Sequence, residues 1–155
     1  MGELREKVST VRRVIAADRA FLFAAWTDPT LFAQWFGPAS WTVERCVLDP
    51  RPEGPWRAWF RRTDGGGVEV GGKYLRFEPP FCLAFTWAPG PAGAIQAEHS
   101  EVTVEFTEIP AGVEIAITHR KLSVAEAADM DVGWNNTLDS LEAFVGRNRS
   151  SPKES

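Results

Sequence analysis

The chain is short of the features that would place it in a membrane or outside the cell. It has two cysteines, Cys46 and Cys82, too few for the paired framework of a small secreted domain and without CxxC spacing. No apolar run approaches the roughly 18 residues that a membrane span needs. The opening MGELREKVST lacks the apolar core of a signal peptide. These absences predict a cytoplasmic protein with no membrane partner. The two histidines, His99 and His119, lie far apart and make no zinc pattern. There is no GxSxG, P-loop or dinucleotide fingerprint, and the triple glycine at 65–67 reads as a turn. Neither a metal nor a cofactor is therefore expected. Basic charge is scarce too, with 17 Lys and Arg against 21 Asp and Glu. That balance argues against nucleic acid held on a general basic surface.

Aromatic mass, in contrast, is plentiful. Seven Trp and ten Phe in 155 residues are many, and at 44% hydrophobic the chain is globular, not disordered. Its length fits one domain, spanning 8–147, with flexible tails at 1–7 and 148–155. The aromatic residues can fill a core or line a cavity; composition leaves both open.

The stretch 123–147, SVAEAADMDVGWNNTLDSLEAFVGR, predicts a long amphipathic helix. Ser123 with Glu126 forms a capping box. Steps of about 100° align Ala127, Trp134, Leu138, Leu141 and Val145 in one apolar stripe, and leave Glu126, Asn135, Asn136, Asp139 and Glu142 outside it. Asp131 interrupts the stripe. Gly133 weakens the helix, by about 1 kcal/mol relative to alanine, and predicts a bend before Trp134. Upstream, strands are expected at 8–16, 41–49, 56–62, 68–77, 81–87, 99–108 and 113–119. Two short helices follow the first strand. Asp18 caps one of them, and Pro29 opens the other, which ends at Gly37-Pro38. Trp41, Val43 and Val47 should share a face. Gly71-Gly72 suggests a bulge or sharp bend. The loop at 88–98 reads as flexible. Strands joined by short turns make an antiparallel meander, and one apolar face of it must cover the helix. The fold class is α+β: a curved sheet of about seven strands around one long C-terminal helix.

Three segments in this order, DPTLFAQWFGP, GGKYLRFEPPFCLAFTW and THRKLSVAEAADMDVGWNNTLDSLEAF, resemble the activator of heat-shock protein 90 ATPase homologue family of the START-like, or SRPBCC, superfamily. The resemblance runs from Val8 to Val145. It implies the helix-grip fold, and a function among ligand binding, cyclase or dehydratase chemistry, and assistance to a chaperone. One departure is visible: Cys82 stands where the family usually has an arginine.

The first functional reading is a domain enclosing a small apolar or aromatic ligand. The residues expected around such a cavity are Trp26, Trp35, Trp56, Phe60, Phe85, Trp87, Phe106, Ile117, His119, Asp131, Trp134, Leu138 and Leu141. His119 is in phase with Ile115 and Ile117. With Asp131 it could orient a polar group or act in acid–base chemistry. Alternatively, His119 meets solvent at a strand end and Asp131 lies where the helix overhangs the sheet. A chaperone partner is implied by the family name alone. His99 reads as solvated, and Arg57, Arg61 and Arg62 as a charged convex face around Trp59.

Overall fold

The computed structural model describes residues 6–90 and 100–149. Its elements run β1 (Lys7–Ile15), α1 (Arg19–Thr27), α2 (Pro29–Phe32), β2 (Trp41–Leu48), β3 (Pro55–Arg62), β4 (Gly67–Glu78), β5 (Cys82–Pro89), β6 (Ser100–Ile109), β7 (Gly112–Leu122) and α3 (Val124–Arg149). The strands form one curved antiparallel sheet in the order β1-β7-β6-β5-β4-β3-β2. β2 to β7 are the expected meander. β1 joins it at the far edge, against β7, so α1 and α2 carry the chain across the full width of the sheet.

Short-range chemistry sets the helix ends. The Asp18 carboxylate accepts from the Phe21 N–H at 3.1 Å and starts α1. Asp28 ends that helix and caps the next, accepting from Thr30 N at 2.8 Å, with Pro29 in the first turn. α2 is one turn only; the chain then tightens through Trp35 and Phe36, both bonded back to Phe32, before Gly37 turns it at φ +101°. The capping box of α3 is closed in both directions. Ser123 N donates to Glu126 Oε1 at 2.9 Å, and Glu126 N to Ser123 Oγ at 3.1 Å.

α3 packs on β1 and β7. Trp134, Leu138, Leu141, Phe144 and Val145 are buried, whereas Asn135, Asn136, Asp139 and Glu142 are exposed, so the phasing read from the sequence holds. Each large side chain of that stripe contributes about 1.5–3 kcal/mol by leaving water. The bend expected at Gly133 does not divide the helix, which is continuous from Val124 to Arg149. A helical backbone tolerates one glycine at modest cost when its flanks are anchored.

Two strand details differ from expectation, each for a local reason. Val43 is buried but Val47 is exposed, because the β2–β3 register shifts between Val43 and Arg45. One extra residue reverses the alternation, and Cys46 and Leu48 turn inward instead. In β4 the register shift falls between Tyr74 and Arg76, not at the two glycines. Gly71 and Gly72 serve close approach: a Cβ at Gly72 would lie 2.2 Å from Thr86 O, and one at Gly71 2.7 Å from Trp56 O. The Trp56 indole N–H takes the Thr86 carbonyl at 2.9 Å there, and Lys73 N takes the Thr86 hydroxyl at 2.9 Å.

Two residues expected in flexible tails at 1–7 and 148–155 sit in regular elements instead. Lys7 belongs to β1, paired with Leu122. Asn148 belongs to α3, its Nδ2 bonded to Phe144 O at 3.0 Å. Most of the expected loop at 88–98 and the solvated His99 lie outside the described residues. Cys46 and Cys82 are free.

Candidate functional site

Because α3 lies on the β1–β7 half of the sheet, its other flank faces β3 and β5 across a gap. A cavity of about 430 Å³ occupies that gap. Phe36, Gly37 and Pro38 wall it from the segment after α2, with Trp41 at the start of β2. Phe60 of β3 and Trp87 of β5 come from the sheet; Asp129, Met130, Gly133, Trp134 and Thr137 come from α3. The five helix positions follow i, i+1, i+4, i+5 and i+8, which stand on one side of a helix. Two glycines shape the space in opposite ways. At Gly37 a Cβ would press to 3.3 Å from the Phe60 ring, and the positive φ favours glycine in any case. At Gly133 a Cβ would meet nothing within 4 Å, so the missing side chain leaves volume open.

The inner wall is held by a chain of buried hydrogen bonds with a single possible direction. The Trp134 indole can only donate, and it reaches His119 Nδ1 at 3.0 Å. Nδ1 must therefore be the accepting nitrogen, and Nε2–H donates to Ser100 Oγ at 2.7 Å. The Ser100 hydroxyl passes its own proton to Trp87 O at 3.1 Å. His119 is fully buried, and burial lowers its pKa to about 4, with Glu126 pulling weakly in the other direction. The imidazole is thus neutral, as the hydrogen-bond pattern requires. Rings crowd around it: Trp87 at 5.7 Å and Trp134 at 5.9 Å between centroids.

The residues expected around a ligand divide into two sets. Phe60, Trp87 and Trp134 line the cavity, with His119 tied directly behind Trp134. Trp26, Trp35, Trp56, Phe85, Phe106, Ile117, Leu138 and Leu141 are buried in the core cluster. Trp26, for example, meets Trp35 at 5.1 Å and Trp134 at 6.1 Å. A hollow among Trp26, Trp56, Tyr74 and Phe85 has only about 10 Å³, at the lower limit for one water. Aromatic rings there fill space; they do not enclose it. Asp131 stands apart from the cavity. It is exposed and accepts a short hydrogen bond from the Ser9 hydroxyl of β1, where the helix overhangs the sheet edge. The expected His119–Asp131 pair is therefore not assembled, since each group is bonded elsewhere. His119 does not meet solvent at its strand end either, because β7 continues to Leu122.

Sequence reasoning missed Phe36, Trp41, Asp129, Met130 and Thr137. The signal for the helix residues was present: Met130, Gly133 and Thr137 flank Trp134 at helical spacing. Gly133 was noticed as a weakness of the helix, not as a vacancy beside it.

Elsewhere the surface is internally matched. Arg57 pairs with Glu69, Arg61 with Glu44 and Arg62 with Asp64, while Arg45 lies 3.9 Å over the Trp59 ring. A second hollow of about 620 Å³ lies between residues 33–43 and the outer side of α3. Its wall mixes Gln34, Ser40, Asn136 and Asp139 with Trp35, Phe36 and Trp41, and Arg147 donates across it to Gln34 O at 3.4 Å. Among the described residues, no group of three His, Cys, Asp or Glu gathers to hold a metal ion. No described helix is long and apolar enough to cross a membrane.

A long C-terminal helix held by a seven-stranded sheet, with a cavity on its flank, invites comparison with known proteins. The family model for activator of Hsp90 ATPase homolog 1-like protein matches residues 16–146. The chain belongs to this family. An AHSA1 protein from Silicibacter pomeroyi superposes with a TM-score of 0.80 at 26% identity, over 92% of this chain and 99% of that one. A protein from Nitrosomonas europaea superposes with a TM-score of 0.80 at 18% identity, covering 93% and 97% of the two chains. An AHSA1-like protein from Aeromonas hydrophila gives 0.78 at 22% identity, covering 94% and 96%. No curated protein matches the chain. The AHSA1-like, START-like helix-grip fold is thus shared over almost the whole length.

Proposed function

We propose that this AHSA1-like protein binds a small apolar or aromatic molecule between α3 and strands β3 and β5. The observation that carries the proposal is the cavity itself. Its volume of about 430 Å³ lies in the range of small-molecule sites, and most of its wall is ring or aliphatic surface. Apolar wall left facing water in this way forgoes the stabilisation its burial would give, and a ligand seated there recovers it. The cyclase-like alternative loses its basis, because His119 and Asp131 are committed to other partners. A chaperone partner rests on the family name and gains no residue from the structure. The two free thiols support a cytoplasmic setting.

The test is an unbiased mass-spectrometric search for a molecule copurifying with the protein, followed by a thermal-shift screen. At one hundred times its dissociation constant, a ligand adds about 2.7 kcal/mol. For a domain of this size that raises the melting temperature by roughly 2–4 °C per kcal/mol. Trp41, Trp87 and Trp134 line the cavity, so their emission should shift with binding. No copurifying molecule and no stabilising compound among apolar and aromatic candidates would remove the proposal.

A further inference from the structure

The cavity wall is electrostatically one-sided. It presents the indoles of Trp41, Trp87 and Trp134 and the rings of Phe36 and Phe60. Among the described residues its single ionisable side chain is Asp129, and neither Lys, Arg nor His lines it. Most carboxylates near strands or helix flanks are matched: Asp139 and Glu142 hold Arg13, and Glu101 holds Arg120 and Lys121. Asp129 is exposed and makes no side-chain hydrogen bond or ion pair with any described residue. Thr137, two turns further along the same flank, is buried with its hydroxyl likewise unbonded among the described residues. Gly133 between them keeps the path open. One wall ring already attracts a cation from outside: the Arg62 guanidinium carbon lies 5.8 Å from the Trp41 centroid, with its charge balanced by Asp64.

We infer that the cavity selects a hydrophobic monocation, an ammonium group on an aromatic or alkyl body, over neutral or anionic molecules of the same size. The inference rests on the ligand-binding reading above and adds the charge of the ligand. The face of an aromatic ring is the negative end of its quadrupole, and an ammonium group seated over one of these rings is attracted by it. Asp129 supplies the counter-charge where the cavity meets solvent. An anion would face the Asp129 carboxylate with no cation among the described wall residues to receive it, and would lose its hydration without replacement. The Thr137 hydroxyl is left to bond a donor or acceptor on the ligand body.

Calorimetry with three probes sharing one naphthyl body tests this: naphthylethyl-trimethylammonium, naphthylethanol and naphthylacetate. The ammonium probe should bind about 2- to 30-fold more tightly than the alcohol, the span of a cation over aromatic rings from exposed to desolvated. The acetate should bind most weakly. Asp129→Asn, an exposed position that leaves folding intact, should weaken the ammonium probe severalfold and leave the alcohol unchanged. Gly133→Leu should fill the open volume and remove binding of every probe, without lowering the melting temperature. An alcohol binding as tightly as the ammonium probe overturns the charge inference but leaves ligand binding standing. Failure of all three probes overturns the charge inference, whereas ligand binding itself falls only with the copurification search and the thermal-shift screen. Binding that survives Gly133→Leu places the probes elsewhere and overturns the inference.

Discussion

Acidification should destabilise this fold through His119. In the folded protein the imidazole is fully buried, and Nδ1 accepts the Trp134 indole N–H at 3.0 Å. A proton on Nδ1 would set two N–H donors against each other, in a site where burial already lowers the pKa from 6.5 to about 4. The unfolded chain, with histidine near 6.5, takes up that proton more readily. The folded pKa is the depressed one, so the contribution of His119 is fully present above pH 6.5 and is lost as pH falls from 6.5 toward 4. At pH 5 the loss is about 2 kcal/mol, and it levels near 3 kcal/mol below pH 4, at 1.36 kcal/mol per pKa unit. At this size, the drop between pH 7 and pH 5 should lower the melting temperature by roughly 4–8 °C. Urea titration of the protein and of His119→Gln, at both pH values, isolates the effect. The carboxylates and His99 are common to the two proteins and cancel in the difference. The variant should be less stable at pH 7 but lose about 2 kcal/mol less on acidification. Parallel pH dependences, or an imidazole titrating near 6.5 in the folded protein by NMR, would refute the buried neutral assignment.

The helix stripe offers a second check. Trp134→Ala and Leu138→Ala should each cost roughly 2–5 kcal/mol in urea titration, whereas Asn135→Ala, an exposed position bonded to Arg13 and to Asp131 O, should change stability by less than about 0.5 kcal/mol. Leu141→Trp should unfold the protein or cost about 1–3 kcal/mol, because Leu141 sits in closed core and not beside the cavity; an intact variant of unchanged stability would show that α3 has room there. Gly37→Ala should cost about 1 kcal/mol or more, since its φ is +101° and a Cβ would press on the Phe60 ring; calorimetric unfolding at wild-type temperature would argue against that turn.

Much of the architecture was legible along the chain, because its signals are local. The Ser123–Glu126 box, Asp18 and Asp28 as caps, and the period of Trp134, Leu138, Leu141 and Val145 depend on neighbours a few residues away. Alternation marked seven strands for the same reason. Where a local pattern was interrupted, the reading slipped: one extra residue near Glu44 exchanged Val47 for Cys46 and Leu48 at the inner face.

The site depended on distances that no local pattern encodes. Aromatic content left a core and a cavity both open; most of the rings pack as core, and a few line the hollow beside α3. Which rings belong to which follows from where α3 comes to rest. It lies over β1 and β7, so Trp26, Phe106 and Ile117 are closed into core while Trp41, Trp87 and Trp134 are left along an open flank. His119 and Asp131 are only 12 positions apart in the sequence, yet the strand turns one under the helix and the helix turns the other over Ser9 of β1. The sequence by itself determined the elements, their caps and their apolar faces, because these follow from residue type and spacing. Only the tertiary structure decided what those faces meet. A vacancy such as the one beside Gly133 is a property of several segments at once, and exists only where they fail to touch.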